Sequence, residues 1–76
     1  MLSAVDTNVI LRRLTRDDEE QALIADAVFT NGDIFISATV LIETEWVLRG
    51  FYKWNRARIN EVISALLSLP NVVTGN

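Results

Sequence analysis

The 76-residue chain contains no cysteine and no histidine. Disulfides, thiolate-bound zinc and imidazole acid–base chemistry are therefore excluded. Any reaction must run on carboxylates, hydroxyls, amides, arginine or lysine. The natural cofactor class is an oxygen-ligated hard cation such as Mg²⁺ or Mn²⁺. With one proline and three glycines, the chain has no linker or low-complexity segment. Cations are in the minority, seven Lys and Arg against ten Asp and Glu, giving a net charge of −3 and a pI near 4.7. That balance lacks the footprint of a general nucleic-acid binder, whose affinity rests on phosphate neutralisation. It still admits a nuclease whose acids collect at a metal, because a bound cation inverts the local field. No apolar run reaches the length of a membrane span, and no basic stretch leads into one. The expectation is a soluble cytoplasmic chain with no signal peptide and no membrane partner.

Half of the residues are hydrophobic, ample for a folded core. A domain near this length buries only about 60% of its unfolded surface, so the chain is one small domain at most, or part of a larger one.

Along the chain, Leu2 to Val5 reads as a short buried strand. Val9, Ile10, Leu11 and Leu14 give a brief helical stripe that runs out near Thr15. Asp17-Asp18-Glu19-Glu20 fits the acidic first turn of a second helix, with Asp17 and Glu20 spaced as a capping box. Ala22, Leu23, Ala25, Ala27, Val28 and Phe29 continue that helix, and Asn31-Gly32 supplies its stop. Ile34-Phe35-Ile36 reads as a second strand. Ser37 or Thr39 caps a third helix carrying Val40, Leu41, Trp46, Val47 and Leu48 to about Gly50. Asn55 caps a fourth, where Ile59, Val62, Ile63, Leu66 and Leu67 share one face. Pro70 ends it, and Val72-Val73 opens a third strand. Strands alternating with helices imply right-handed crossovers and a parallel sheet, an α/β fold.

Asp6-Thr7-Asn8 follows the first strand directly. Open parallel sheets bind ligands beyond the carboxyl ends of their strands, so a carboxylate there can hold a hard cation. The competing reading is that Asp6 caps the following helix. Glu43 falls in the first turns of the third helix, just past the second strand, on the face of Trp46, Val47 and Gly50. If the two strands are neighbours, Asp6 and Glu43 both sit above the carboxyl edge of the sheet and can share a divalent cation that activates water. Alternatively, Glu43 pairs with an arginine such as Arg12 or Arg13. Glu45 points elsewhere, towards solvent.

The stretch from Val5 to Arg12, V-D-T-N-V-I-L-R, and that from Ser37 to Arg49, S-A-T-V-L-I-E-T-E-W-V-L-R, resemble the PIN-domain ribonucleases, the VapC toxins of bacterial toxin–antitoxin pairs above all. The Arg56 to Pro70 helix and the valine-rich strand after it fit the same pattern. The resemblance implies a three-layer α/β/α fold, with Asp6 and Glu43 as catalytic, metal-binding acids. It implies Mg²⁺- or Mn²⁺-dependent cleavage of RNA phosphodiesters and a cognate VapB-type antitoxin. Thr7 and Asn8 would bind substrate, orienting a water or a phosphate; turn or cap bonding is the alternative for both. The family completes its acidic cluster with later aspartates, whereas no acid follows Glu61 here. Residues 1–76 therefore correspond to the N-terminal part of such a domain. Little activity is expected alone, and a homodimer or a complementing C-terminal segment is the expected partner. The rival reading is a non-catalytic interaction module. Its motive is the incomplete acid set and the aromatics Trp46, Phe51, Tyr52 and Trp54, a residue type enriched where proteins meet partners; against it, Trp46 and Phe51 read as core, while Tyr52 and Trp54 divide between core and interface. A fragment without an independent role is the third possibility. Arg12, Arg13, Arg16 and Arg49 read as solvated helix-surface cations.

Overall fold

A computed structural model describes residues 2–75 of the chain. The elements run β1 (Leu2–Ala4), α1 (Thr7–Thr15), α2 (Glu19–Thr30), β2 (Asp33–Ser37), α3 (Ala38–Gly50), α4 (Arg56–Leu67) and β3 (Val72–Gly75). The three strands pair parallel in the order β1-β2-β3, the expected α/β fold. Each crossover carries a helix pair. Two right-handed crossovers that step the same way along a sheet deliver both pairs to one face.

The register shows the consequence. Ile34 is level with Ser3 and Val72, and Phe35 with Ala4 and Val73. Successive strand residues alternate between faces. Ile34 and Ile36 accordingly enter the core with Val5, Ile10 of α1, Phe29 of α2 and Leu66 of α4. Val40 and Leu41 of α3 pack against the same cluster. Ala4 and Val73 lie exposed on the opposite face, with Phe35 half-buried between them. Among the described residues, one helical layer of an α/β/α arrangement is formed.

All four helices are capped by a short polar side chain. Asp6, Asp18, Ser37 and Asn55 each accept from the backbone N–H three residues on. This corrects the cap of α2: Asp18 serves it, and Asp17 turns away to accept from the Tyr52 hydroxyl at 2.7 Å. Arg16 closes α1 at φ 53°, a left-handed conformation that disfavours a side chain by about 1 kcal/mol. Its guanidinium is held there by Glu19 and Asp26, at 2.6 and 3.1 Å. Asn71 joins two distant turns, its side-chain amide donating to the carbonyls of Phe29 and Gly32 at 2.7 and 2.8 Å.

Two expectations about burial are corrected. Leu2, Ser3 and Ala4 are exposed rather than buried: Leu2 and Ala4 lie on the face without helices, and Ser3 stands at the rim of the sheet, where β1 pairs among the described residues with β2 alone; only Val5, beyond it, reaches the core. Trp46 and Phe51 are 60% and 76% exposed rather than core residues. On α3 the inward positions go to Thr44 and Leu48, one turn apart and both fully buried, which turns Trp46 outward. The Thr44 hydroxyl is satisfied within the helix, donating to the Val40 carbonyl at 2.7 Å. No described helix is long and apolar enough to cross a membrane.

Candidate active site

Val5 is the last residue tied to β2, its N–H donating to the Phe35 carbonyl at 3.2 Å. The chain then turns into α1, which leaves Asp6 exposed at the carboxyl edge of the sheet. One carboxylate oxygen, Oδ1, accepts from the Val9 N–H at 3.1 Å, so the capping role is real. The other oxygen has no protein hydrogen bond among the described residues. Capping and ligation are thus compatible: the cap restrains the side chain and leaves an acceptor free.

Thr7 and Asn8 form the first turn of α1, the former half-buried and the latter exposed. Neither side chain makes a hydrogen bond within the protein among the described residues, so the turn or cap bonding considered for them is not found. Glu43 lies in the second turn of α3, which starts at the carboxyl end of β2. It is exposed and forms no ion pair among the described residues. Of the arginines considered as its partner, Arg13 pairs instead with Asp26 at 3.2 Å. Glu45, as expected, faces solvent and pairs with Arg49 at 2.9 Å. Because β1 and β2 are neighbours and parallel, Asp6 and Glu43 rise from the same edge of the sheet.

The face of α3 that carries Glu43 is the solvent face: Trp46 and Gly50 are exposed with it and Val47 is half-buried. The apolar face expected beside this acid therefore belongs to Thr44 and Leu48. As donors, two exposed carboxylates without protein counter-charges suit a hard cation that retains open positions for water and phosphate. Among the described residues, no three acidic side chains gather into one metal-binding group. Glu61, on the exposed side of α4, joins no such cluster.

Beside Asn8 lies a pocket of about 310 Å³, bordered by Arg12 and Thr15 of α1, Asp17, Asp18 and Gln21 at the start of α2, and Tyr52 after α3. The Tyr52–Asp17 hydrogen bond closes one side of it. Accepting charge at Asp17 holds the Tyr52 hydroxyl proton on and raises its pKa above the ordinary 10.0. Sequence reasoning gave this contact no place. Its partners stand 35 residues apart and no local pattern links them.

A family model described as the PIN domain matches residues 4–74. No curated protein and no solved structure matches the chain.

Proposed function

The chain belongs to the PIN-domain family, and on that footing we propose that it is the N-terminal part of a VapC-type toxin, a Mg²⁺-dependent endoribonuclease with a cognate VapB-type antitoxin. The observation that carries this reading is the pair of exposed, uncompensated carboxylates, Asp6 and Glu43, at one edge of adjacent parallel strands. Asp6 and Glu43 would hold Mg²⁺ or Mn²⁺, which supplies neutralisation of phosphate charge and a lowered pKa for water.

The chain's own groups do the rest. Asp6 is oriented by the Val9 N–H, so its free oxygen is offered with little remaining torsional freedom. The hydroxyl of Thr7 and the amide of Asn8 hydrogen-bond phosphate oxygens or the attacking water. The positive end of the α1 dipole favours the same anion. Two carboxylates alone hold a hard cation weakly, which supports a need for further acids from a complementing C-terminal segment or a second copy of the chain.

Mn²⁺ binding, followed by electron paramagnetic resonance, tests the site directly. The parent chain is expected to bind weakly, with binding lost in Asp6→Asn and Glu43→Gln. RNA cleavage in Mg²⁺ is expected to be slight for the chain alone and to become strong and Asp6-dependent once the complementing segment is added. Mn²⁺ binding that survives both substitutions would overturn the assignment.

A second reading, an interaction module without catalysis, draws on Ile42 and Trp46, which stand one turn apart on the exposed side of α3. Self-association that persists in an Asp6→Ala, Glu43→Ala variant, with no effect of metal on the parent chain, would favour it.

A further inference from the structure

The acidic chain has a strongly basic segment that the metal site does not use. Residues 49–58, R-G-F-Y-K-W-N-R-A-R, hold four of the seven cations and none of the ten acids. Three aromatic side chains alternate with these cations. The segment spans the end of α3, the connector, and the first turn of α4.

The connector is fixed rather than loose. The N–H groups of Phe51 and Tyr52 donate to the Val47 carbonyl at 2.9 and 3.2 Å, and that of Trp54 to the Leu48 carbonyl at 3.0 Å. Phe51 meets the Tyr52 ring edge-on at 5.0 Å while remaining 76% exposed. The Arg58 guanidinium lies over the Trp54 ring, 3.7 Å from its centre, a cation–aromatic contact near the surface. Arg49 is partly neutralised by Glu45. Lys53, Arg56 and Arg58 form no ion pair among the described residues. Arg49 and Arg56 together border a cleft of about 180 Å³ between α3 and α4. Tyr52 lines the larger pocket that reaches Asn8, so the start of the connector borders the depression beside the first turn of α1.

A solvated face would explain the cations, but not a phenylalanine left 76% exposed among them on a hydrogen-bonded backbone. Aromatic rings interleaved with unpaired cations are what single-stranded nucleic acid recognises: bases stack on the rings and phosphates pair with the charges. We propose that the α3–α4 connector is a single-stranded RNA platform, with Phe51 and the Trp54–Arg58 pair receiving bases and Lys53 and Arg56 receiving phosphates. The proposal rests on the ribonuclease reading and adds where the substrate strand lies.

Binding measured apart from cleavage tests it. Fluorescence anisotropy of a labelled oligouridylate of about ten nucleotides is read against the Asp6→Asn chain in EDTA. Phe51→Ala is expected to weaken binding at least about fivefold, the lower end of what one base–aromatic stack supplies. Lys53→Ala with Arg56→Ala is expected to flatten the dependence of log K on log salt by about 1.4, two phosphate contacts on a single strand. A duplex RNA of equal length should bind more weakly than the single strand. All the substituted side chains are solvent-exposed, so unchanged thermal midpoints should accompany these effects.

Three results would overturn the platform: no binding of the oligouridylate by the Asp6→Asn chain, equal affinity for the duplex, or tighter binding of polyglutamate, which would make the segment an acidic-peptide site. Those outcomes leave the Mn²⁺ test of Asp6 and Glu43 untouched. Conversely, loss of the metal site would not restore binding to a Phe51→Ala chain, so the two failures are distinguishable.

Discussion

At the residue scale, Asp6 has an observed role as a cap and a proposed role as a ligand, which one substitution can separate. As a cap it needs an oxygen acceptor; as a ligand it needs charge. Asparagine caps a helix about as well as aspartate, whereas alanine costs about 1 kcal/mol. Asp6→Asn should therefore melt within a few tenths of a kcal/mol of the parent chain, while Asp6→Ala should melt about 4–8 °C lower in a domain of this size. Thermal denaturation followed by circular dichroism decides it. If the two variants fall equally, the Val9 hydrogen bond does not stabilise α1. Tyr52 offers a second single-residue reading, because it is the one tyrosine in the sequence. Its hydroxyl donates to Asp17, which raises its folded-state pKa above the unfolded value. The bond's contribution to stability is then fully present below the unfolded pKa and is lost as pH rises through the folded one. Ultraviolet titration of tyrosinate in the parent chain should have a midpoint above 10.0, returning towards it in Asp17→Ala. An identical midpoint in both would remove Asp17 as the cause.

At the element scale, Asn71 does work disproportionate to its size. It satisfies the carbonyls of Phe29 and Gly32 at once, fixing the end of α2 and the entry to β2 against β3. Asn71→Ala should lower stability by about 1–3 kcal/mol, since half-buried acceptors lose their donor. Asn71→Asp should fall further, because it brings acceptors to acceptors. Urea denaturation would show it, and equal midpoints for the two variants would mean the amide is not the operative donor. Local signals were legible in the chain: Ser37, offered beside Thr39, and Asn55 as caps, the face of α4 from Ile59 to Leu66, and Pro70 after it all rest on contacts within a few residues, although Leu67, expected on that face, is exposed. The inward face of α3 was not. Val40, Leu41, Ile42, Trp46, Val47 and Leu48 leave that helix apolar nearly all round, so periodicity selects no side. Packing made the choice, burying Thr44 and Leu48 and turning Trp46 to solvent beside Glu43. The places of Asp6 and Glu43 at the sheet edge were legible because each follows a strand; the contacts of Tyr52 and Asn71 were not, because their partners are 35 and about 40 residues away.

At the scale of the whole molecule, charge and apolar surface are both segregated. Outside residues 49–58 the chain carries three cations against ten acids, so a molecule of net charge −3 still has one positive segment, the one proposed above to meet RNA. The sheet is equally one-sided. Ile36 on the helix-covered face is fully buried, whereas Val73 on the other face is 48% exposed. Two substitutions on the same sheet should therefore behave oppositely. Ile36→Ala removes a packed side chain and should cost about 2–5 kcal/mol, a large share of the stability of so small a domain. Val73→Lys places a charge on a bare surface and should shift the melting temperature only slightly, while raising the concentration the chain tolerates before it associates, because it breaks the apolar row of Ala4, Phe35 and Val73. Melting curves together with sedimentation velocity at rising concentration measure both effects. A Val73→Lys chain as destabilised as Ile36→Ala would mean that the second face is covered in solution, and the open side of the sheet would have to be read as an interface.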